Sequence, residues 1–168
     1  RPDNGMTALL AARGLKLLAY GVLAGGFLSD AWLGRADPGH ALTNRSLVKY
    51  RLIIDELGGW ALFQELLRAC RQVADRHGVA IANVATRWVL DRPTVGAAIV
   101  GARYASHLPE NLRSFSFRLD DADLALIGAV LAQAKGPLGD TYALERDRSG
   151  PHGRIMKYNL NTGEDQIG

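Results

Sequence analysis

The sequence predicts an α/β fold. Two compact apolar runs, LKLLAY at residues 15–20 and TVGAAIV at 94–100, read as buried parallel strands, and each is closed by a glycine, Gly21 and Gly101. Helical patterns fill the chain before, between and after them, the alternation expected of parallel pairing. Two strands are a serious shortage, because a parallel strand needs lateral neighbours and cover on both faces. The missing neighbours are expected in another segment or another chain.

In chain order, PDNG at residues 2–5 is a turn signal, and 6–13 form a short Ala- and Leu-rich helix closed by Gly14 as a C-cap. After the first strand, Gly21, Gly25, Gly26, Gly34 and Gly39 recur among apolar residues such as Val22, Leu23, Phe27, Leu28 and Trp32. A solvated linker does not need that composition; a loop that packs on something or closes over it does. Residues 46–56 read as helix, interrupted by Gly58-Gly59. The next helix carries Phe63, Leu66, Leu67, Cys70, Val73 and Ala74 at spacings of three and four, and Gly78 ends it. A further helix places Ile81, Val84, Ala85 and Trp88 on one face and stops by Arg92, ahead of Pro93. Residues 107–115 form a short helix with Pro109 in its first turn. Asp120 then N-caps a last clear helix, with Leu119 and Leu124 placed as a staple and Leu124, Ile127, Val130 and Leu131 as its apolar face. Beyond Lys135 the pattern fades into a polar tail with Tyr142, Ile155, Met156, Tyr158 and Leu160 as candidate anchors.

Composition narrows the class. Of 168 residues, 48% are apolar and 22% charged, as in a folded soluble chain, and the net charge of +3 is too small to point to nucleic acid. No uncharged apolar run is long enough to span a bilayer. A single cysteine, Cys70, excludes an internal disulfide and fits a reducing, cytoplasmic setting. The chain opens at Arg1 rather than Met, which suggests a processed product, a designed piece or an incomplete sequence. No Cys and His spacing suggests a metal site.

Ligands of α/β folds gather beyond the carboxyl ends of the strands. After the first run stands YGVLAGGFLS at 20–29, after the second GARYASHLPEN at 101–111. Glycines at 21, 25 and 26 let backbone amides approach a phosphate, while Tyr20 and Leu23 offer apolar surface to a flat ring. Gly101 permits close approach, Arg103 is a five-donor phosphate ligand, and a helix starting near 106 presents free N–H groups. The GxGxxG dinucleotide pattern is absent. The residues alone leave an anion or nucleotide site and ordinary loop packing both open.

Taken together, AYGVLAGGFLSD, IANVATRWVL, and AAIVGAR followed by PENLRSF and LDDADLALI resemble successive segments of the aldo-keto reductase superfamily, in order from residue 1 to about 135. The resemblance implies that this chain is the C-terminal portion of a (β/α)8 TIM barrel, its two runs being the seventh and eighth strands. Residues 1–135 would be that barrel portion, with a long loop at 21–59, and 136–168 a tail packing on or over the barrel. It further implies NADP(H) as cofactor, NAD(H) remaining open. By the same resemblance Tyr20 stacks on the nicotinamide, and Gly21, Leu23 and Gly25 belong to the loop over the pyrophosphate. Gly101, Arg103, His107, Glu110 and Asn111 match the segment holding the adenosine half, with Arg103 toward the 2'-phosphate and Asn111 toward the adenine edge. His107 departs from the commoner Gln or Arg, and a neutral imidazole is a weaker phosphate ligand.

The family reduces aldehydes and ketones with a tyrosine proton donor tuned by lysine, aspartate and histidine on early strands. None of Tyr50, Tyr104, Tyr142 or Tyr158 stands in a matching motif, so no catalytic residue is assigned. The expected function is therefore NAD(P)H-dependent carbonyl reduction by a complete parent protein, this chain supplying the cofactor loops. The alternatives are a non-catalytic nucleotide-binding or interaction module and a structural half-barrel needing an N-terminal partner. The expected partners are a small carbonyl substrate and that N-terminal half, with no nucleic acid and no membrane. Unpaired strand edges put the chain at risk of oligomerising. Trp60, Phe63 and Trp88 read as core, Trp32 as core or pocket wall, Cys70 as inert, and His77 as a helix-end residue; His40 and His152 have no partner pattern.

Overall fold

The computed structural model describes residues 5–102, 104–136 and 141–156. Arg103, most of the predicted first turn, the Tyr142 side chain, Tyr158 and Leu160 lie outside the described residues. The first apolar run forms β1 (Leu17–Tyr20) and the second β2 (Val95–Ile99). They pair in parallel, with Leu17 opposite Val95 and Tyr20 opposite Ile99, and one irregularity between Leu17 and Leu18. Strand β1 starts later than the apolar run because the Leu15 N–H donates to Leu10 O (2.9 Å), closing the turn behind α1 (Met6–Ala12). Gly14 takes a φ of +63° in that turn, as a helix-ending glycine should. The first ladder bond then runs from Leu17 N to Thr94 O (2.7 Å).

The helices build the core. α2 (Arg45–Leu57) follows the long loop, α3 (Trp60–His77) carries the predicted apolar stripe, and α4 (Ile81–Leu90) turns back against it. Phe63, Leu66, Leu67, Cys70, Val73 and Ala74 of α3 are all buried, together with Ile81 and Val84 of α4. α5 (His107–Leu112) runs on into a 3-10 turn at Arg113–Phe115, and α6 (Asp121–Leu131) packs on α3. On α6 Ile127 is buried and Val130 and Leu131 pack against the core as expected, joined by Leu126, but Leu124 is 40% exposed. The cause is Asp123, fully buried with its Oδ2 2.7 Å from His77 Nε2 at the end of α3. Fixing that carboxylate inward turns the next residue, Leu124, to solvent.

The long loop is packed, as its composition required. Phe27 is fully buried, its ring 4.7 Å from Trp32 and 6.1 Å from Phe63. Trp32 also meets Trp60 edge-on at 5.8 Å, so it belongs to the core rather than to a pocket wall. Gln64, buried on α3, accepts from Gly34 N–H (2.8 Å) and donates to Trp32 O (2.9 Å), fixing the backbone of the loop. Arg51, buried on α2, donates to both oxygens of Asp37 and also pairs with Asp55.

The tail is not merely polar coil. It folds into α7 (Thr141–Arg146) and α8 (Pro151–Arg154), the latter in contact with α2. His152 does have a partner: it is buried with Nε2 2.6 Å from Glu56 Oε1. Asp147 braces the connection by accepting from Ser149 N–H (3.0 Å) and Ser149 Oγ (2.6 Å). The other face of the two-stranded sheet is open, with Leu18, Tyr20 and Ile99 exposed at 59%, 63% and 57%. No helix among the described residues is long and apolar enough to cross a membrane.

Candidate functional site

Parallel pairing puts the carboxyl ends of β1 and β2 side by side, and both glycine-bearing loops leave from that edge. A hollow of about 610 Å³ lies between them. Gly21, Leu23, Gly25 and Gly26 line it from the first loop, and Gly101 and His107 from the second. Five of the residues expected to bind a cofactor thus meet in one space.

Tyr20, Glu110 and Asn111 stand elsewhere. Tyr20 is exposed on the open face of the sheet with Leu18 and borders only a second and larger hollow, about 920 Å³; Gly21, Val22 and Tyr50 border both spaces. Glu110 spends its carbonyl on Asn83 Nδ2 (2.7 Å) and its carboxylate approaches Arg113 at 3.4 Å. Asn111 is half-buried in α5 and does not line the smaller hollow. Arg103 lies outside the described residues.

The second loop also departs from expectation at its helix. The N–H groups of His107 and Leu108 donate to the carbonyls of Tyr104 (3.0 Å) and Ala105 (3.1 Å), because a tight turn runs directly into α5. They are not free donors for an anion. The His107 ring meets Tyr104 edge-on at 5.3 Å.

Glycines in the two loops serve different ends. A Cβ at Gly26 or Gly101 would meet nothing within 4 Å, leaving the backbone open to a ligand. A Cβ at Gly21 would overlap the Tyr50 hydroxyl, and one at Gly25 would lie 2.8 Å from Tyr50 Cδ2. Those two positions are glycine because a tyrosine ring already occupies their concave side.

That ring belongs to α2, the third wall of the hollow and one that sequence reasoning missed. Asn44, Ser46 and Tyr50 line the space. Asn44 caps the helix, its Oδ1 accepting from Ser46 N–H (2.9 Å) and Leu47 N–H (3.3 Å). The cap signal is legible, but nothing in the sequence says that the helix folds back on the glycine loop. Next to Tyr50, Lys49 lies 2.5 Å from Glu145 of α7. Burial works against the Lys49 charge, yet the Glu145 carboxylate outweighs it and the ammonium titrates above its ordinary value, helped by Tyr50 and Tyr20 nearby. Asn83 was missed as well. Buried at the start of α4, it accepts from Ala80 N–H (3.0 Å) and donates to Glu110 O and Ser114 Oγ (3.2 Å), fixing the segment that carries His107.

The model of the Aldo/keto reductase family matches residues 1–132. The chain belongs to the aldo/keto reductase family. Among its relatives, the uncharacterized oxidoreductase YrpG of Bacillus subtilis is 29% identical over 142 residues, 82% of this chain and 39% of that protein. Protein tas of Escherichia coli is 29% identical over 128 residues, 76% of this chain and 35% of its own length. Flagellar radial spoke protein 5 of Chlamydomonas reinhardtii is 37% identical over 86 residues, covering 49% of this chain and 16% of that protein. The chain therefore spans less than two-fifths of the length of each of these relatives.

Proposed function

We propose that this chain is the C-terminal part of an NAD(P)H-dependent carbonyl reductase with a (β/α)8 barrel, and that it supplies the loops that hold the cofactor. The observation that carries this reading is the convergence of Gly21, Leu23, Gly25, Gly101 and His107 on one hollow at the carboxyl edge of a parallel sheet. Family membership and an oxidoreductase among the relatives support it.

The hollow fits an extended anionic ligand in two respects. The backbone at Gly26 and Gly101 is unobstructed, and the polar residues Asn44 and Ser46 line the same space. A nicotinamide cofactor, when bound, supplies the hydride that reduces a carbonyl. Leu23 and the open glycine backbone would hold its pyrophosphate, and Arg103 its 2'-phosphate, with Asn111 toward the adenine. Tyr20, at the sheet edge, would give the nicotinamide ring a flat aromatic surface. Glu110, already close to Arg113, would reach a ribose rather than a phosphate. Orientation of a carbonyl substrate and proton donation would come from groups outside this chain.

The test is titration of the chain with NADPH and NADH, followed by fluorescence, in wild type and Arg103→Ala. A charge-assisted phosphate contact is worth about 1.5–3 kcal/mol, so the variant should lose roughly tenfold or more in NADPH affinity and little for NADH. Equal NADPH affinity in the two proteins removes Arg103 from the site. Carbonyl reductase turnover by the 168-residue chain alone would overturn the division of labour.

A further inference from the structure

The stretch Ala24–Gly25–Gly26 takes positive φ at three successive residues, 48°, 66° and 106°, and Ala24 is the one non-glycine residue with positive φ among those described. Glycine takes positive φ without strain, but Ala24 does not, and a non-glycine residue persists there only where its surroundings hold the stretch in place. The ring doing so is Tyr50: its hydroxyl fills the concave side of Gly21, its Cδ2 edge that of Gly25, and the Ser46 backbone one turn earlier on α2 closes the rest. We infer that Tyr50 is the positioning residue of the glycine loop, setting Gly21 to Gly26 in the shape that leaves Gly26 open toward the hollow. This assignment rests on the nucleotide reading for its purpose, though not for its geometry.

The helix that carries Tyr50 is itself fixed on several sides. Asn44 caps its start, Arg51 ties it to Asp37, and the tail grips it through Lys49–Glu145 and Glu56–His152. The ring is thus presented from a braced element, as a group that must hold a neighbouring loop requires. Its action is through shape. The ring edge against Gly25 survives removal of the hydroxyl, so Tyr50→Phe should preserve the loop while Tyr50→Ala should release it.

The experiment reads amide hydrogen exchange of residues 21–28 by mass spectrometry in the full chain without nucleotide, and NADPH affinity by fluorescence. Tyr50→Ala is expected to speed exchange in 21–28 at least about tenfold with α3 unchanged, and to weaken NADPH binding by a similar factor; Tyr50→Phe should restore both. Wild-type exchange in Tyr50→Ala overturns the proposal. If Tyr50→Ala also loses protection in α3, a double-mutant cycle decides. Gly21→Ala inserts a methyl against the hydroxyl, so its effect on loop exchange should be several-fold smaller in the Tyr50→Phe background than in wild type. Equal effects in both backgrounds overturn the proposal. Wild type that fails to bind NADPH while Tyr50→Ala still frees the loop would remove the nucleotide reading and leave the positioning role intact.

Discussion

His152 Nε2 lies 2.6 Å from Glu56 Oε1, a contact across 96 residues that pins α8 to α2. The imidazole is almost wholly buried, so the pair is a buried polar anchor of the tail. His152→Ala should cost about 1–3 kcal/mol and open the tail to protease first. Limited proteolysis with mass mapping checks it. Cleavage that spares 141–156 in the variant as well as in wild type would show that the pair does not hold the tail.

Asn83 ties the turn before α4 to the segment that carries His107, accepting from Ala80 N–H and donating to Glu110 O and Ser114 Oγ. Replacing it with alanine should destabilise by about 1–3 kcal/mol, since the half-buried Ala80 N–H and the buried Ser114 hydroxyl lose a partner together while Glu110 O keeps the Arg113 N–H. Urea unfolding of Asn83→Ala supplies the number. A loss under about 0.5 kcal/mol would mean that water replaces the amide.

Lys49 gives a pH dependence of defined sign. Its ammonium is favoured in the folded chain by Glu145, so its folded value lies above the ordinary 10.5. The stability it contributes is intact below that ordinary value and is lost as pH rises through the higher folded one. Thermal midpoints of wild type and Lys49→Met should therefore differ at pH 9 and converge at alkaline pH. A difference that stays constant to pH 12 would contradict the pairing.

Cys70 is buried on α3, and that burial pushes its thiol up to about 12. At pH 8 the native protein should react with a thiol reagent only as fast as the chain opens. Stoichiometric labelling within seconds under native conditions would place the sulfur at the surface.

Much of the fold was legible because it rests on local signals. The α3 stripe, the stops at Gly14 and Gly78 and the Asp120 cap are set by residues within a few positions of one another. What stayed hidden depends on distant pairs. The turning of Leu124 to solvent follows from His77 receiving Asp123, the docking of the tail from Glu56 receiving His152, and neither partner marks the other in the sequence. In the site, the glycines were visible and one of their reasons was not. Gly21 and Gly25 yield to a tyrosine on a helix some 25 to 29 residues later, a relation that appears only once α2 folds back.

The parallel pairing of β1 with β2 also orders events in time. Lys16 reaches Pro93 O across 77 residues, whereas α3 and α4 are neighbours in sequence and meet with little chain to close. Loop closure grows costlier with length and non-local pairing is slow, so the helical layer is expected to form first and the sheet edge last. The two glycine loops come face to face only at that final step. A chain halted before it would carry nearly all of the helical circular dichroism of the finished molecule and none of its hollow.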